Sequence, residues 1–232
     1  ANIYRAALRL TPSENLEMIL RLEQGATEGD GPASQNHALH SRDSFDFSIN
    51  GRGKAANDWE QAILETNLDV AFGGGTITNV LGWRAYEANS AGDIDGTSAT
   101  LAPLSVANGA TFHTRAFTEQ DQWSDELRYA GTFGAVDVTA GLYFFEQNLL
   151  YIEERFLFAA VLAGPPPSAF NITRVGGGQG TFSTEAAFAN ADWHMNEALT
   201  LNLGMRFTHE EKNSRVSRVR RAADVLDGAT LV

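Results

Sequence analysis

The stretch Ala198-Leu-Thr-Leu-Asn-Leu-Gly-Met-Arg-Phe-Thr-His-Glu-Glu-Lys212 decides the fold class. Leu199, Leu201, Leu203, Met205 and Phe207 alternate strictly with Thr200, Asn202, Gly204, Arg206 and Thr208. A period of two puts successive side chains on opposite faces of a β-strand. One face suits hydrocarbon and the other suits water. The apolar face runs for about the 9–11 residues that a tilted strand needs to cross a bilayer.

The same alternation recurs along the chain. A first strand, Asn2 to Thr11, sets Tyr4, Ala6, Leu8 and Leu10 against Arg5, Ala7 and Arg9. Pro12-Ser-Glu-Asn15 has turn chemistry, and Leu16 to Glu23 sets Leu16, Met18, Leu20 and Leu22 against Ile19, Arg21 and two glutamates. An arginine facing lipid at mid-bilayer costs about 2–4 kcal/mol, so the leucines are expected to point outward and the arginines inward. A long polar segment is expected from Gly25 to about Asn57, with Ala55 to Leu64 able to form a short helix. A second hairpin runs from Ile63 to about Glu87, turning at Gly73-Gly-Gly75, with Asn79 interrupting its apolar face.

A second loop is expected over Ala88 to Glu119, and a third hairpin from Gln120, turning at Gly131-Thr-Phe-Gly134. A third loop, about Gln147 to Gly180, holds Pro165-Pro-Pro167 and Gly176-Gly-Gly178. The last hairpin runs from Phe182 to Trp193, turns at Met195-Asn-Glu197, and enters the opening stretch. Its first arm is rich in alanine and shows no clean amphipathic face. A polar segment after Lys212 is expected to be an outer loop. Short turns near residues 13, 74, 133 and 196 therefore alternate with long connections, the layout of an outer-membrane β-barrel. Aromatics fall where girdles belong, with Phe72, Phe133 and Trp193 by the turns and Tyr86, Tyr129 and Phe207 toward the loops. A soluble all-β sandwich or propeller is the alternative, although such folds rarely carry a long loop at every second connection.

Composition narrows the classes. Seventeen Lys and Arg against 29 Asp and Glu give a formal charge of -12, which argues against nucleic acid as a partner. There is no cysteine, so neither disulfides nor a thiolate site are available. No apolar run is long enough for a membrane-spanning helix. The chain is expected to open directly in a strand at Ala1-Asn-Ile-Tyr-Arg5, without a signal peptide among these residues. It is expected to begin and end on the long-loop side, which marks an internal piece of a larger barrel, because an open sheet leaves edges that a bilayer does not tolerate.

The segments Arg5-Ala-Ala-Leu-Arg-Leu-Thr-Pro12, Thr78-Asn-Val-Leu-Gly-Trp-Arg-Ala-Tyr86, Gln122-Trp-Ser-Asp-Glu-Leu-Arg128 and Leu199 to Lys212 resemble consecutive barrel hairpins of TonB-dependent outer-membrane receptors. The resemblance implies an all-β fold, with about eight antiparallel strands in four hairpins of a transmembrane barrel of about 22 strands. Residues 1–232 would be a part of that barrel domain. It also implies a multi-pass outer-membrane location and energy-coupled uptake of a scarce substrate such as a ferric siderophore. The implied partners are the outer-membrane lipid and lipopolysaccharide, the receptor's own plug and remaining strands, the TonB energy-coupling complex and an iron chelate. The plug and the TonB box have no counterpart here. A passive outer-membrane pore or a soluble all-β binding module are the competing readings.

Among candidate site residues, the inward arginines Arg84, Arg128 and Arg206 either line a ligand path or pair with lumen carboxylates such as Glu126, since rings of arginine select anions. The run Arg215, Arg218, Arg220 and Arg221, expected in an outer loop, suits lipopolysaccharide phosphates. His209-Glu-Glu-Lys212 lacks the second histidine of a zinc helix and reads as a charged strand end at the lumen mouth. Gly73-Gly-Gly75 and Gly176-Gly-Gly178-Gln-Gly180 lack the lysine of a phosphate loop and read as turn and loop glycines. Asp93-Ile-Asp95-Gly96 starts like a calcium loop without its later ligands, and His37, His40, Asp43 and Asp46 read as a solvated loop. No catalytic set, resident metal or cofactor is expected.

Overall fold

In a computed structural model, the structure describes residues 1–98, 102–105, 108–161 and 168–221. Nine strands form one antiparallel sheet: β1 (Asn2–Ser13), β2 (Leu16–Gly29), β3 (Lys54–Val70), β4 (Gly75–Asp93), β5 (Ala102–Ser105), β6 (Asn108–Phe133), β7 (Val136–Val161), β8 (Ser168–Asn196) and β9 (Leu199–Arg221). Eight of them pair in the order β1-β2-β3-β4-β6-β7-β8-β9, and the short β5 adds to β6. The fold is all-β, and its four main hairpins coincide with the four read from alternation. The sheet is open, with β1 and β9 at its edges.

Register keeps the two faces separate across the whole sheet. Leu8, Leu20, Leu64 and Leu81 stand opposite one another on one rung, and Leu127, Leu142, Ala187 and Phe207 on another. The opposite face carries the rung Thr78, Arg128, Gly141, Phe188 and Arg206. We call these the leucine face and the arginine face. A slip of one residue anywhere would turn a strand's apolar set to the wrong side, so the pattern itself fixes the pairing.

There is almost no core. Among the described residues only Ile152, Val175 and Ala186 are buried apolar residues. Met205 is 77% exposed, Phe207 73%, Leu203 60% and Leu142 59%. A water-soluble sheet covers its apolar face with a second layer, and no second layer exists among the described residues. The leucine face forms a band that ends, strand by strand, at Gln24, Glu60, Glu87, Asp121, Glu146 and Glu185. Near its outer limit Trp83 and Trp123 pair across strands with ring centroids 6.2 Å apart. Within the band Asn79 and Asp125 offset each other: Asn79 Nδ2 donates to Asp125 Oδ1 at 2.5 Å and to the Glu126 carbonyl at 3.2 Å.

Short turns gather at one end, at Glu14–Asn15, Phe72–Gly74, residues 134–135 and residues 197–198. Gly73, Gly74 and Gly134 adopt φ of 61°, 53° and 64°, the left-handed conformation that only glycine enters cheaply. Phe72 packs on Phe133 at 4.8 Å and Tyr129 at 5.7 Å, and the Tyr129 hydroxyl donates to the Phe72 carbonyl at 2.7 Å. Tyr129 therefore belongs to the aromatic cluster at the turns, not to the loop side. Tyr86 lies on the arginine face, where its hydroxyl donates to Asn57 at 2.9 Å. Pro12 sits on the edge strand β1 where the ladder breaks its register between Leu10 and Ser13, a place that tolerates its missing N–H.

The expected long loops are mostly strand. Residues 55–64 extend β3 and form no helix, Ala88 to Asp93 extend β4, and β6 begins at Asn108. β7 and β8 carry Gln147 to Val161 and Ser168 to Gly180 well beyond the leucine band, while Pro165-Pro-Pro167 lies outside the described residues. At roughly 3.3 Å per residue a strand of this length reaches far past a bilayer core about 30 Å thick. Gly176-Gly-Gly178 is a strand segment and neither turn nor loop. A Cβ built on Gly177 would lie 2.0 Å from the Tyr151 carbonyl oxygen and 3.0 Å from the Ile152 Cα. Those atoms are backbone and cannot turn aside. Gly177→Ala is therefore expected to separate β7 from β8 locally, at a cost of about 1–3 kcal/mol, visible as faster amide exchange over residues 150–153. Unchanged protection there would contradict the close approach.

Candidate functional site on the arginine face

Alternation delivers charged side chains of β1, β2 and β3 to the arginine face, and there they neutralise one another. Arg5 pairs with Glu23 and Arg9 with Glu17, and Arg21 Nη1 lies 2.9 Å from Glu65 Oε2. Trp59 Nε1 donates to Glu23 Oε1 at 2.9 Å. These exposed pairs hold the rim of the sheet in register more than they stabilise it.

Farther along the sheet the arginines differ from one another. Arg128 Nη1 stands 3.4 Å from Glu126 Oε1. Two of the sequence candidates thus form one pair. Arg84 has no ion-pair partner among the described residues, and its guanidinium carbon lies 5.9 Å from the Tyr86 ring centroid. Arg206 lies between two rings, 5.8 Å from Tyr143 and 5.7 Å from Phe188, and its Nε donates to Thr208 Oγ1 at 3.1 Å. It too lacks a carboxylate partner among the described residues. Aromatic faces orient a guanidinium without cancelling its charge. Arg84 and Arg206 therefore hold ordered positive charge with free N–H donors toward the space this face borders. Lys212 sits over Phe182 at 4.7 Å, with Glu210 at 3.9 Å, on the rung of Arg84.

The aromatic partners Tyr143, Phe188 and Phe182 are site residues that the sequence reading missed. Phe182 and Phe188 sit on β8, where alanines hide the alternation. Their signal was available in register alone: Phe188 pairs with Gly141 and Arg206, whose faces the neighbouring strands define. Gly141 leaves room for the ring, since a Cβ there would meet Phe188 Cζ at 2.5 Å.

Beyond the band, Tyr151, Glu153 and Arg155 continue this face on β7, with Arg155 Nη2 donating to Glu153 Oε2 at 3.2 Å. Burial pushes the Tyr151 phenol above its ordinary value, and the neighbouring Glu153 carboxylate adds to the rise. The phenol stays neutral at physiological pH.

The basic run is strand and not outer loop. Arg215 and Arg218 lie in β9 and, by alternation, on opposite faces, Arg215 on the leucine side and Arg218 on the arginine side. The backbone of Arg220 and Arg221 ends β9, and their side chains lie outside the described residues. The four arginines therefore do not share one surface. Alternation also splits His209-Glu-Glu-Lys212: His209 and Glu211 share the leucine side, and Glu210 and Lys212 the arginine side. Only half of that strand end lies on the arginine face.

The fold brings His113 to Asp93 and Asp95, which the sequence could not pair with it. The ligand atoms of the three lie within 4.8 Å of one another. Their carboxylates are already occupied. Asp93 accepts from the backbone of Asn50 at 3.1 Å, Gly51 at 3.2 Å and Gly96 at 2.9 Å. Asp95 accepts from the backbone of Thr97 at 3.0 Å and of Phe112 at 2.6 Å, and His113 Nε2 meets Asn50 Oδ1 at 2.6 Å. This arrangement pins the 30–53 connection to β4 and β6. Asp93→Ala is expected to speed protease cleavage between residues 38 and 52 about tenfold, from about 1–2 kcal/mol of lost hydrogen bonding. Cleavage at the wild-type rate would contradict the pin. His40 bonds Ser48 at 2.9 Å, and His37, Asp43 and Asp46 form no ligand set with it among the described residues.

No protein-family model matches this sequence, and no curated protein sequence matches it. Among solved structures the chain is similar to the ferric preacinetobactin receptor BauA from Acinetobacter baumannii, with a TM-score of 0.44 and 10% sequence identity. The match covers 90% of this chain and 36% of that one, so the chain spans about a third of that receptor's length. A likeness this distant assigns neither a family nor a ligand.

Proposed function

We propose that this chain is part of the wall of an outer-membrane β-barrel that takes up a scarce anionic substrate, of the kind found in TonB-dependent receptors. One observation carries the reading. An exposed band of leucine, methionine and phenylalanine covers one face of the sheet, while the other face holds ion pairs together with Arg84 and Arg206, which have no carboxylate partner among the described residues. Lipid on the first face and a polar lumen on the second satisfy both. The edges at β1 and β9 call for further strands, since a bilayer tolerates no open edge.

Arg84 and Arg206 give the lumen face fixed positive charge suited to an anionic chelate, and a ferric siderophore fits that chemistry. Energy coupling through the TonB complex and a plug is the mechanism the sequence resemblance supports. Uptake of a labelled ferric chelate by cells with and without the full-length protein tests it. Loss of uptake on deleting the protein, and on collapsing the energised inner membrane, is the expected result. Uptake indifferent to energisation would replace this reading with a passive pore. A full-length protein recovered in solution without detergent would replace both with a soluble β-module.

A further inference from the structure

Two of the buried apolar residues, Ile152 and Val175, lie beyond the leucine band, and a carboxylate stands beside them. Glu154 follows Ile152 on the same face of β7 and pairs with Val175 of β8. It is 4% exposed, and its Oε1 is buried without a hydrogen-bond partner. Among the described residues it makes no ion pair either. Burial strips a carboxylate of its hydration, and only a paired cation or a set of donors replaces what is lost. By alternation Glu154 shares the side of Leu142, so it takes no part in the arginine face.

This carboxylate lines a cavity of about 280 Å³ together with His113, Thr114, Arg115 and Phe156. Register assembles the set. Arg115 of β6 stands opposite Glu154, and His113 stands opposite Phe156 one rung farther out. The rings of His113 and Phe156 lie 6.4 Å apart at 34°, and Asn50 Oδ1 holds His113 Nε2 at 2.6 Å. Arg115 is the cation that the sheet sets beside Glu154, yet it is exposed and the two form no ion pair. The cavity thus presents a buried acceptor next to two rings.

We infer that this cavity binds a small organic cation, a primary alkylammonium ion, which donates to Glu154 Oε1 and lays its alkyl chain against His113 and Phe156. Chemistry chooses the class. A charged donor offsets the desolvation of a carboxylate more fully than a neutral one. Ring faces attract an ammonium and its adjoining methylenes. A hard metal ion calls for several oxygen ligands, and Glu154 is the one carboxylate in this lining. An anion would face that carboxylate directly. The inference uses burial and strand register alone and does not depend on the barrel reading.

The test titrates the purified full-length protein with propylammonium by calorimetry, with circular dichroism and gel mobility as fold controls. Wild type is expected to bind about one equivalent. Glu154→Gln, close to it in shape, is expected to bind about tenfold more weakly, as loss of a charged hydrogen-bond partner implies. Phe156→Leu is expected to lose about threefold. Arg115→Ala, which removes a like charge, is expected to bind as tightly as wild type or more tightly. Tetramethylammonium cannot donate to Oε1 and is expected to bind more weakly than propylammonium. A folded wild type that binds no propylammonium overturns the inference and leaves Glu154 to water or to its own proton. Equal affinity in wild type and Glu154→Gln overturns it as well. Weaker binding by Arg115→Ala overturns it in favour of a zwitterion or an anion. Sodium that competes at equal concentration overturns it in favour of a metal ion.

Discussion

Leu203→Arg is expected to lower the stability of the bilayer-inserted protein by about 2–4 kcal/mol, while Asn202→Arg, one residue earlier, is expected to change it by less than about 1 kcal/mol. Leu203 is 60% exposed on the leucine face, within the band and between Leu201 and Met205. Moving a guanidinium into hydrocarbon there forfeits its hydration, and snorkelling from mid-band recovers only part of it. Asn202 points to the arginine face, where its Nδ2 donates to Asp192, and a cation beside that carboxylate remains hydrated. Urea titration of the protein folded into vesicles, followed by gel mobility, reads the difference. A soluble sheet would leave both substitutions close to neutral, because an arginine on an exposed aqueous face costs little. Equal effects at the two positions would show that the faces do not see different solvents.

The second large effect concerns the arginine face. Arg84→Ala and Arg206→Ala are each expected to weaken binding of an anionic ferric chelate about tenfold or more, because a hydrogen bond to a charged group contributes about 1.5–3 kcal/mol. The two lie on strands β4 and β9, separated by three intervening strands, so their losses should add in the double variant. Arg206→Lys should keep part of the affinity, since it retains charge but loses the planar stacking between Tyr143 and Phe188. Arg21→Ala is the control. Its charge is already spent on Glu65 at 2.9 Å, and the loss should be less than about threefold. Titration of the detergent-purified protein by tryptophan quenching measures all five variants. Equal affinities across the set would remove the arginines from the ligand path.

Legibility in the sequence followed the solvent contrast. Strands crossing the apolar band announce themselves, because one face is apolar and the other polar and the side chains alternate to match, as from Leu199 to Phe207. Beyond the band the alternation lapses. Leu149, Leu150 and Tyr151 stand in an unbroken row, and Gly176-Gly-Gly178 reads as a loop until its close approach to β7 is seen. The same lapse made a loop of Asn213 to Arg221, which is the far end of β9. β8 failed differently: alanine at 187, 189 and 191 has no polarity to display, and only pairing with β7 and β9 assigns its faces.

Site residues divide along the same line. That Arg84, Arg128 and Arg206 share a face was readable from parity. So was Glu126 as a carboxylate partner, two residues from Arg128 on one strand. That Arg206 stands between rings was not, because Tyr143 and Phe188 arrive from neighbouring strands. The His113, Asp93 and Asp95 cluster needs the β4–β6 register, which no local pattern contains.

The chain has no cysteine, so single cysteines can be introduced without competing thiols. Placing one at each position from Leu199 to Thr208, attaching a spin label, and comparing its accessibility to oxygen and to a water-soluble nickel chelate in bilayers tests the central claim most directly. Oxygen should dominate at 199, 201, 203, 205 and 207, and the nickel chelate at 200, 202, 204, 206 and 208. Nickel access at all ten positions, or a period other than two, would contradict a strand with lipid on one face and water on the other.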